Sequence, residues 1–339
     1  FSPQIQPSSY SVIGSKKTTS AIGLKKGLEL FEGYDWLIID EVSKCPITEV
    51  LRYLPYVKKI IMVGDDFQLA PLLEFRKEDV QDLPGFDEKK FEQLKYIYEE
   101  SVFAKTLEKA KRSGRLVVLN ENYRSVKSVL NAYNVFYDGA LIGKREEVRP
   151  EKVRFNEKFS AFNEKDIFFV DVKNGKEAVE KTSRYNVEEL CATREVLKTI
   201  LENTLSAEQV TVSAIFPYSA QIEKFQRENR DLINEARKKF KSFELDTVDA
   251  FQGRETDIVL VNTVVTDPSR RNFLNDFRRI NVSMSRARDK LFIFGNPITL
   301  SQIDMKVSTG GKRRYFADII ADIRRFGRVI EYKGGINYA

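Results

Sequence analysis

Histidine is absent from the 339 residues, and cysteine occurs only twice, at Cys45 and Cys191. A zinc site would have to join two distant thiols to carboxylates, which argues against any of the usual zinc sets. Two well-separated thiols also give no disulfide framework and fit a reducing, intracellular setting. No apolar run approaches the roughly 18 to 20 residues that cross a bilayer, so no membrane partner is expected. The first residues, Phe1-Ser2-Pro3-Gln4, lack the basic and apolar stretches of a signal peptide. They also lack a starting methionine, which suggests a processed or excised piece. No internal repeat and no low-complexity tract is visible.

What is present is an ordinary globular composition, 42% hydrophobic and 31% charged, in a chain long enough for two domains. The net charge of +6 leans towards a polyanionic partner. Short apolar stretches recur at Trp36–Ile39, Lys59–Val63, Arg115–Leu119, Ile167–Val172, Val210–Phe216, Asp257–Val265 and Lys290–Phe294. Several are nearly all apolar, as strands buried on both faces of a parallel sheet are. Charged amphipathic stretches lie between them, at Glu92–Arg112, Asn186–Glu202, Ser219–Asn229 and Asn275–Ala287. The alternation predicts doubly wound α/β domains. The boundary is expected near Leu116–Asn120, with residues 1–117 in a first domain and 118–330 in a second. Residues 331–339 read as a tail, and the charged stretch Lys144–Lys165 as a surface excursion.

Two of the strands end in acids. Trp36-Leu37-Ile38-Ile39 runs into Asp40-Glu41-Val42-Ser43, which puts adjacent carboxylates at the C-terminal edge of a parallel sheet, where α/β folds bind ligands. One such acid suits a hydrated Mg²⁺, and its neighbour can activate water. The plainer reading is a strand followed by a helix whose N-terminus favours acids. Ile60-Ile61-Met62-Val63 runs into Gly64-Asp65-Asp66-Phe67-Gln68-Leu69-Ala70-Pro71, and a glutamine amide both donates to phosphate and accepts from water. The second half holds Asn122-Tyr123-Arg124-Ser125, expected to open a helix that ends near Phe136-Tyr137. It also holds Thr247-Val248-Asp249-Ala250-Phe251-Gln252-Gly253-Arg254-Glu255. A third stretch, Arg278-Arg279-Ile280-Asn281-Val282-Ser283-Met284-Ser285-Arg286-Ala287-Arg288, is expected as one helix. Arginine's planar, permanently charged fork suits a transferring phosphoryl group, although most surface arginines are merely solvated.

In their joint order these segments resemble the motifs of the superfamily 1 helicases, and most closely the Upf-type branch. Asp-Glu-Val-Ser looks like motif II, Gly-Asp-Asp-Phe-Gln-Leu-Ala-Pro like motif III and Asn-Tyr-Arg-Ser like motif IV. Thr247 to Glu255 is similar to motif V, and Asn281 to Arg288 to motif VI. Ser183, Asn186 and Glu189, and Phe216-Pro217-Tyr218 with Gln221, match lesser landmarks of the family. The resemblance runs from about Val12 to Ser301. It implies two RecA-like doubly wound domains, the first incomplete at its N-terminus, that use ATP and Mg²⁺ to move along single-stranded DNA or RNA from 5′ to 3′. It implies that Asp40 positions the metal, Glu41 activates the hydrolytic water, Gln68 reads the γ-phosphate and Asp65 helps to relay that reading. Arg124 and Arg286 would be arginine fingers from the second domain. Glu255 would line the same cleft, while Pro217, Tyr218 and Thr247 would touch the nucleic-acid backbone.

One departure stands out. No Gly-x-x-x-x-Gly-Lys-Ser/Thr occurs, and Gly14-Ser15-Lys16-Lys17-Thr18-Thr19 lacks both the upstream glycine and a Gly-Lys pair. That loop holds the β- and γ-phosphates through its backbone N–H groups and its lysine. In the family it lies upstream of motif II, so a P-loop segment is expected from outside these residues, in cis or in trans. The competing expectation is a non-catalytic nucleic-acid-binding or regulatory module on the same scaffold. Such a relic need not retain Asp40, Glu41, Gln68, Arg124 and Arg286 together.

Overall fold

The computed structural model describes residues 33–71, 77–99, 101–145, 152–251, 253–269, 273–307 and 311–335. The Val12–Ile13 start of the resemblance, the Gly14–Thr19 stretch and Gln252 lie outside them. The chain forms two compact units that part between Val118 and Leu119.

The first unit contains two parallel strands, β1 (Tyr34–Ile39) and β2 (Val57–Met62), paired from Tyr34↔Val57 to Ile39↔Met62. Helix α1 (Ile47–Tyr53) links them, and α2 (Glu88–Glu99) and α3 (Val102–Arg112) follow. Strand side chains alternate between faces. Leu37 and Ile39 therefore point into a core with Val42, Cys45, Val50 and Phe103. Trp36 and Ile38, on the other face of β1, are 52% and 56% exposed. Burial on both faces was expected of such an apolar strand; on this second face Lys59 Nζ lies 4.7 Å from the centroid of the Trp36 ring, and Trp36 and Ile38 still stay more than half exposed. The sequence also suggested one helix over 92–112. There are two, because Ser101 caps the second by accepting from Ala104 N–H at 3.4 Å. The strand expected at Arg115–Leu119 does not form: among the described residues no partner strand pairs with it, and Val117, Val118 and Leu119 are exposed.

The second unit is built on six parallel strands: β3 (Ile167–Asp171), β4 (Thr211–Phe216), β5 (Ser242–Thr247), β6 (Thr256–Asn262), β7 (Ala287–Gly295) and β8 (Arg328–Glu331). Their order across the sheet is β5-β4-β6-β7-β3-β8, every neighbouring pair parallel. Helices α4 (Lys127–Asn134), α5 (Val187–Asn203), α6 (Ser219–Glu228), α7 (Arg230–Lys239), α8 (Phe277–Ser285) and α9 (Tyr315–Phe326) surround it. One face of the sheet, with Phe168, Val170, Val212, Ala214, Ile258, Leu260 and Phe292, packs against Leu190, Val196 and Ile200 of α5 and Phe225 of α6. On the other side the turn that follows α4, with α8 and α9, is joined through Phe136, Phe277 and Tyr315, whose ring centroids lie 4.8 to 5.8 Å apart. Helices on both faces of a parallel sheet make this the doubly wound α/β architecture expected.

Three boundaries differ from the sequence reading. The stretch taken as a surface excursion contributes Val153, Phe155 and Phe162 to the core, with Phe162 against Phe168 and Phe292. Glu331, where a tail was expected to begin, is the last residue of β8. The helix expected over Asn275–Ala287 stops at Ser285, and Arg286 is its C-cap. Among the described residues no helix is long and apolar enough to cross a membrane.

Candidate functional site

Because β1 and β2 are parallel, their C-terminal ends lie side by side. Val63 N–H donates to Ile39 C=O at 2.8 Å and Val42 N–H to Val63 C=O at 3.0 Å, so the pairing carries past both strand ends. This brings Asp40-Glu41 next to Gly64-Asp65. A Cβ on residue 64 would sit 2.9 Å from Val42 Cγ1 and 3.1 Å from Ser43 N, so glycine permits the close approach. Asp40 is exposed, and its Oδ1 accepts from Glu41 N–H at 2.9 Å. Glu41 has φ 52°, a left-handed conformation uncommon for a residue with a Cβ. Strain of that kind collects at functional sites. Asp65 accepts from Phe67 N–H at 3.0 Å and from Gln68 Nε2 at 3.0 Å, which fixes which end of the Gln68 amide faces which way. Ser43 Oγ, in the turn directly after the acids, is buried with no hydrogen-bond partner among the described residues. No group of three metal-ligating side chains occurs among the described residues. An exposed single carboxylate fits Mg²⁺, which keeps most of its waters and relies on substrate phosphates.

In the second unit the arginines gather at the N-terminal edge of β6 and β7. Asn122 Oδ1 accepts from Arg124 N–H and Ser125 N–H, so Asn122-Tyr123-Arg124-Ser125 is a turn that precedes α4 rather than the opening of a helix. Ser125 Oγ donates to Ala287 C=O at 2.6 Å, and Val126 N–H donates to Arg288 C=O at 2.9 Å, which stitch that turn to the start of β7. Arg124 Nε then reaches Glu255 Oε2 at 2.8 Å, and its Nη1 reaches Ser285 C=O at 3.2 Å. Arg288 Nη1 takes the other oxygen, Glu255 Oε1, also at 2.8 Å. The resemblance pointed to Arg286 as the second finger. Here it is 2% exposed, with Nε on Val282 C=O, Nη1 on Arg254 C=O and Nη2 on Ser285 Oγ. The structure thus brings Arg124 and Glu255 together, sets Arg286 in the core behind them, and adds Arg288.

Pro217, Tyr218 and Thr247 lie at the opposite, C-terminal edge of the sheet. Phe216 pairs with Thr247, so the ends of β4 and β5 are level. Tyr218 is the N-cap residue of α6 and is half-buried, as is Thr247; Pro217 is buried, so its ring presents little surface to a strand. Beneath this edge lies a closed polar network. Gln221 Oε1 accepts from Asn186 N–H at 2.7 Å, and its Nε2 donates to Asn262 Oδ1 at 3.2 Å. Glu189 accepts from Thr263 N–H, Val264 N–H and Thr263 Oγ1 at 2.9 to 3.2 Å. Burial pushes the Glu189 carboxyl up to about 7, against the pull of those donors. Val264, which it holds, has φ 66°.

Sequence reasoning missed Arg288 and Arg145. Arg145 Nη1 donates to the carbonyls of Arg124 at 2.8 Å and Arg288 at 3.2 Å, and its Nη2 pairs with the fully buried Asp289. Nothing in the order of residues signals Arg145. Arg288 was read from the sequence as a structural or surface residue; in the structure Ala287 and Asp289 are both buried, and strand alternation turns Arg288 to the other side.

Residues 98–298 match a family described as AAA domain. An uncharacterized ATP-dependent helicase of Methanocaldococcus jannaschii is 29% identical over 283 residues, covering 81% of this chain and 38% of that protein. The DNA replication ATP-dependent helicase/nuclease of Schizosaccharomyces pombe is 25% identical, over 83% of this chain and 20% of its own length. A regulator of nonsense transcripts 1 homolog of Arabidopsis thaliana is 26% identical, over 78% and 20%. The chain therefore spans no more than 38% of any of these three relatives.

Proposed function

The chain belongs to the AAA domain family, in its superfamily 1 helicase group, and from that premise we propose that it forms most of an ATP-driven motor that moves 5′ to 3′ along single-stranded nucleic acid. The observation that supports this most is the acidic edge of the first unit. Two parallel strands end level with each other in Asp40-Glu41 and Gly64-Asp65, Glu41 is held in a strained backbone conformation, and Asp65 grips Gln68. In this reading Asp40 holds hydrated Mg²⁺, Glu41 takes the proton of the attacking water, and Gln68 responds to the γ-phosphate. Arg124 and Arg286 act on the transferring phosphoryl group, Arg286 after release from the carbonyls that now hold it. Tyr218 and Thr247 follow the nucleic-acid backbone, which DNA and RNA share. The exposed Trp36–Ile38 face of β1 fits a cover that brings the P-loop.

The test is strand-stimulated ATP hydrolysis by the chain joined to a P-loop segment. Glu41→Gln should abolish turnover while nucleotide binding persists. Turnover that survives Glu41→Gln would refute the assignment. Strand binding without any turnover in the joined protein would favour the non-catalytic module instead.

A further inference from the structure

A groove between α6 and α7 is rich in arginine. Phe225 of α6 and Ile233 and Ala236 of α7 are buried in the core of the second unit, which fixes how both helices lie. Residues three and four apart share one side of a helix. On α6 that puts Glu223, Gln226 and Arg227 in one row, and on α7 Arg230, Ile233, Asn234 and Arg237 in another. The two rows line a single groove of about 510 Å³. Three arginines there face one acid, Glu223. The acids of α7, Asp231 and Glu235, sit on its other side with Lys238. Among the described residues the guanidiniums of Arg227, Arg230 and Arg237 have no ion-pair or hydrogen-bond partner. Other arginines of the unit do have them: Arg184 meets Glu177, Arg254 meets Glu244, and Arg313 meets Asp138 and Asp318. Arg230 also stands in the first turn of α7, the end of a helix where a cation opposes the dipole. The fold gains nothing from that placement, whereas an anion in the groove would.

The lining selects the kind of anion. No aromatic side chain lines the groove, and single-stranded nucleic acids rely on such rings for stacking. Two amides do line it, Gln226 and Asn234, each able to donate and to accept as a peptide backbone requires. Arg230 and Arg237 lie two turns apart on α7, about 10.5 Å along its axis. An extended peptide covers that distance in about three residues. We propose that the α6–α7 groove binds an acidic peptide segment of a partner protein in extended form. Carboxylates three residues apart meet Arg230 and Arg237, Arg227 adds to their attraction, and the two amides hold the peptide backbone. The proposal does not depend on the motor reading.

The probe is a fluorescein-labelled peptide of four Glu-Ser-Ser repeats, titrated with the 339-residue chain at low salt and followed by anisotropy. Arg230→Glu and Arg237→Glu should each weaken binding about fivefold or more, because attraction becomes repulsion. Lys238→Glu makes a like change of charge on the far side of α7 and should alter binding less than twofold. A peptide with its four glutamates in one block, equal in charge, should bind about threefold more weakly or worse. Arg230→Glu should leave the melting temperature unchanged or raised, since an acid suits that helix end, and this separates lost contact from lost fold. Equal losses in Arg230→Glu and Lys238→Glu, equal affinity for the block peptide, or no peptide binding would overturn the proposal. A 12-nucleotide oligothymidylate that binds more tightly than the peptide, and through the same two arginines, would overturn it in favour of a phosphate-backbone site.

Discussion

Glu189 gives a prediction that can be worked through from the structure. Its carboxyl is 1% exposed and has no cation among its partners: Thr263 N–H, Val264 N–H, the Thr263 hydroxyl and Asn186. Burial disfavours the charged form more than these donors favour it, so the folded-state value rises from 4.5 to about 7. Between those limits the folded chain keeps a proton that the unfolded chain has released. Stability is therefore complete below about pH 4.5, falls as pH rises towards 7, and is flat above it. At about 1.4 kcal/mol per pH unit the loss comes to roughly 3 kcal/mol. Glu189→Gln keeps the size and cannot titrate, so its stability should fall by roughly 3 kcal/mol less over the same interval. It should also start about 1–3 kcal/mol lower near pH 5, because its NH₂ end faces the Val264 N–H. Urea unfolding of both proteins at pH 5, 6, 7 and 8 measures the two slopes. Parallel slopes would show that Glu189 is ionised in the fold and that the N–H groups outweigh burial.

Gly295→Ala should destabilise the second unit by about 1–3 kcal/mol, since the new Cβ would lie 2.4 Å from Thr263 Oγ1 and 2.9 Å from Leu300 Cδ1; thermal melts check it. Single-strand binding by the chain should be sequence-tolerant and fall steeply between 50 and 200 mM salt on the order of counterion release, and an affinity unchanged over that range would contradict it. Arg286→Ala should lower the melting temperature measurably, because three sets of bonds at the end of α8 are lost; an unchanged melt would show that those bonds contribute little to the fold. Arg145→Ala should lower the melting temperature, because it leaves the fully buried Asp289 carboxylate without the cation that pairs with it; an unchanged melt would contradict this.

Most strands of the second unit were legible because they are apolar without interruption, as Ile167–Asp171 and Thr211–Phe216 are. The start of β7 was legible only from Lys290. Ala287 and Arg288 were assigned to the preceding helical motif, and Asp289 carries a charge, although it is fully buried and paired with Arg145. Arg115–Leu119 failed for the opposite reason: β-branched residues favour a strand only where a neighbour completes it. The candidate acids could be read from strand ends, and the structure puts Asp65 on Gln68 as the motif spacing allows. Which arginine faces solvent could not be read, since Arg286 and Arg288 differ by a helix end that falls between them.

Residues 248–255 run from the C-terminal end of β5, past β4, to the N-terminal start of β6, the edge where Glu255 sits. Going back along six residues of strand and across two strand spacings takes about 22 Å. Eight residues reach about 30 Å when fully drawn out. Part of that contour is taken up by the turn in which Phe251 N–H bonds to Thr247 and Val248 C=O, and by the buried Phe251 ring. The connection is thus a tether with almost no slack. A pull at Thr247 either unwinds that turn or is passed along to Glu255, and with it to the carboxylate that spaces Arg124 and Arg288.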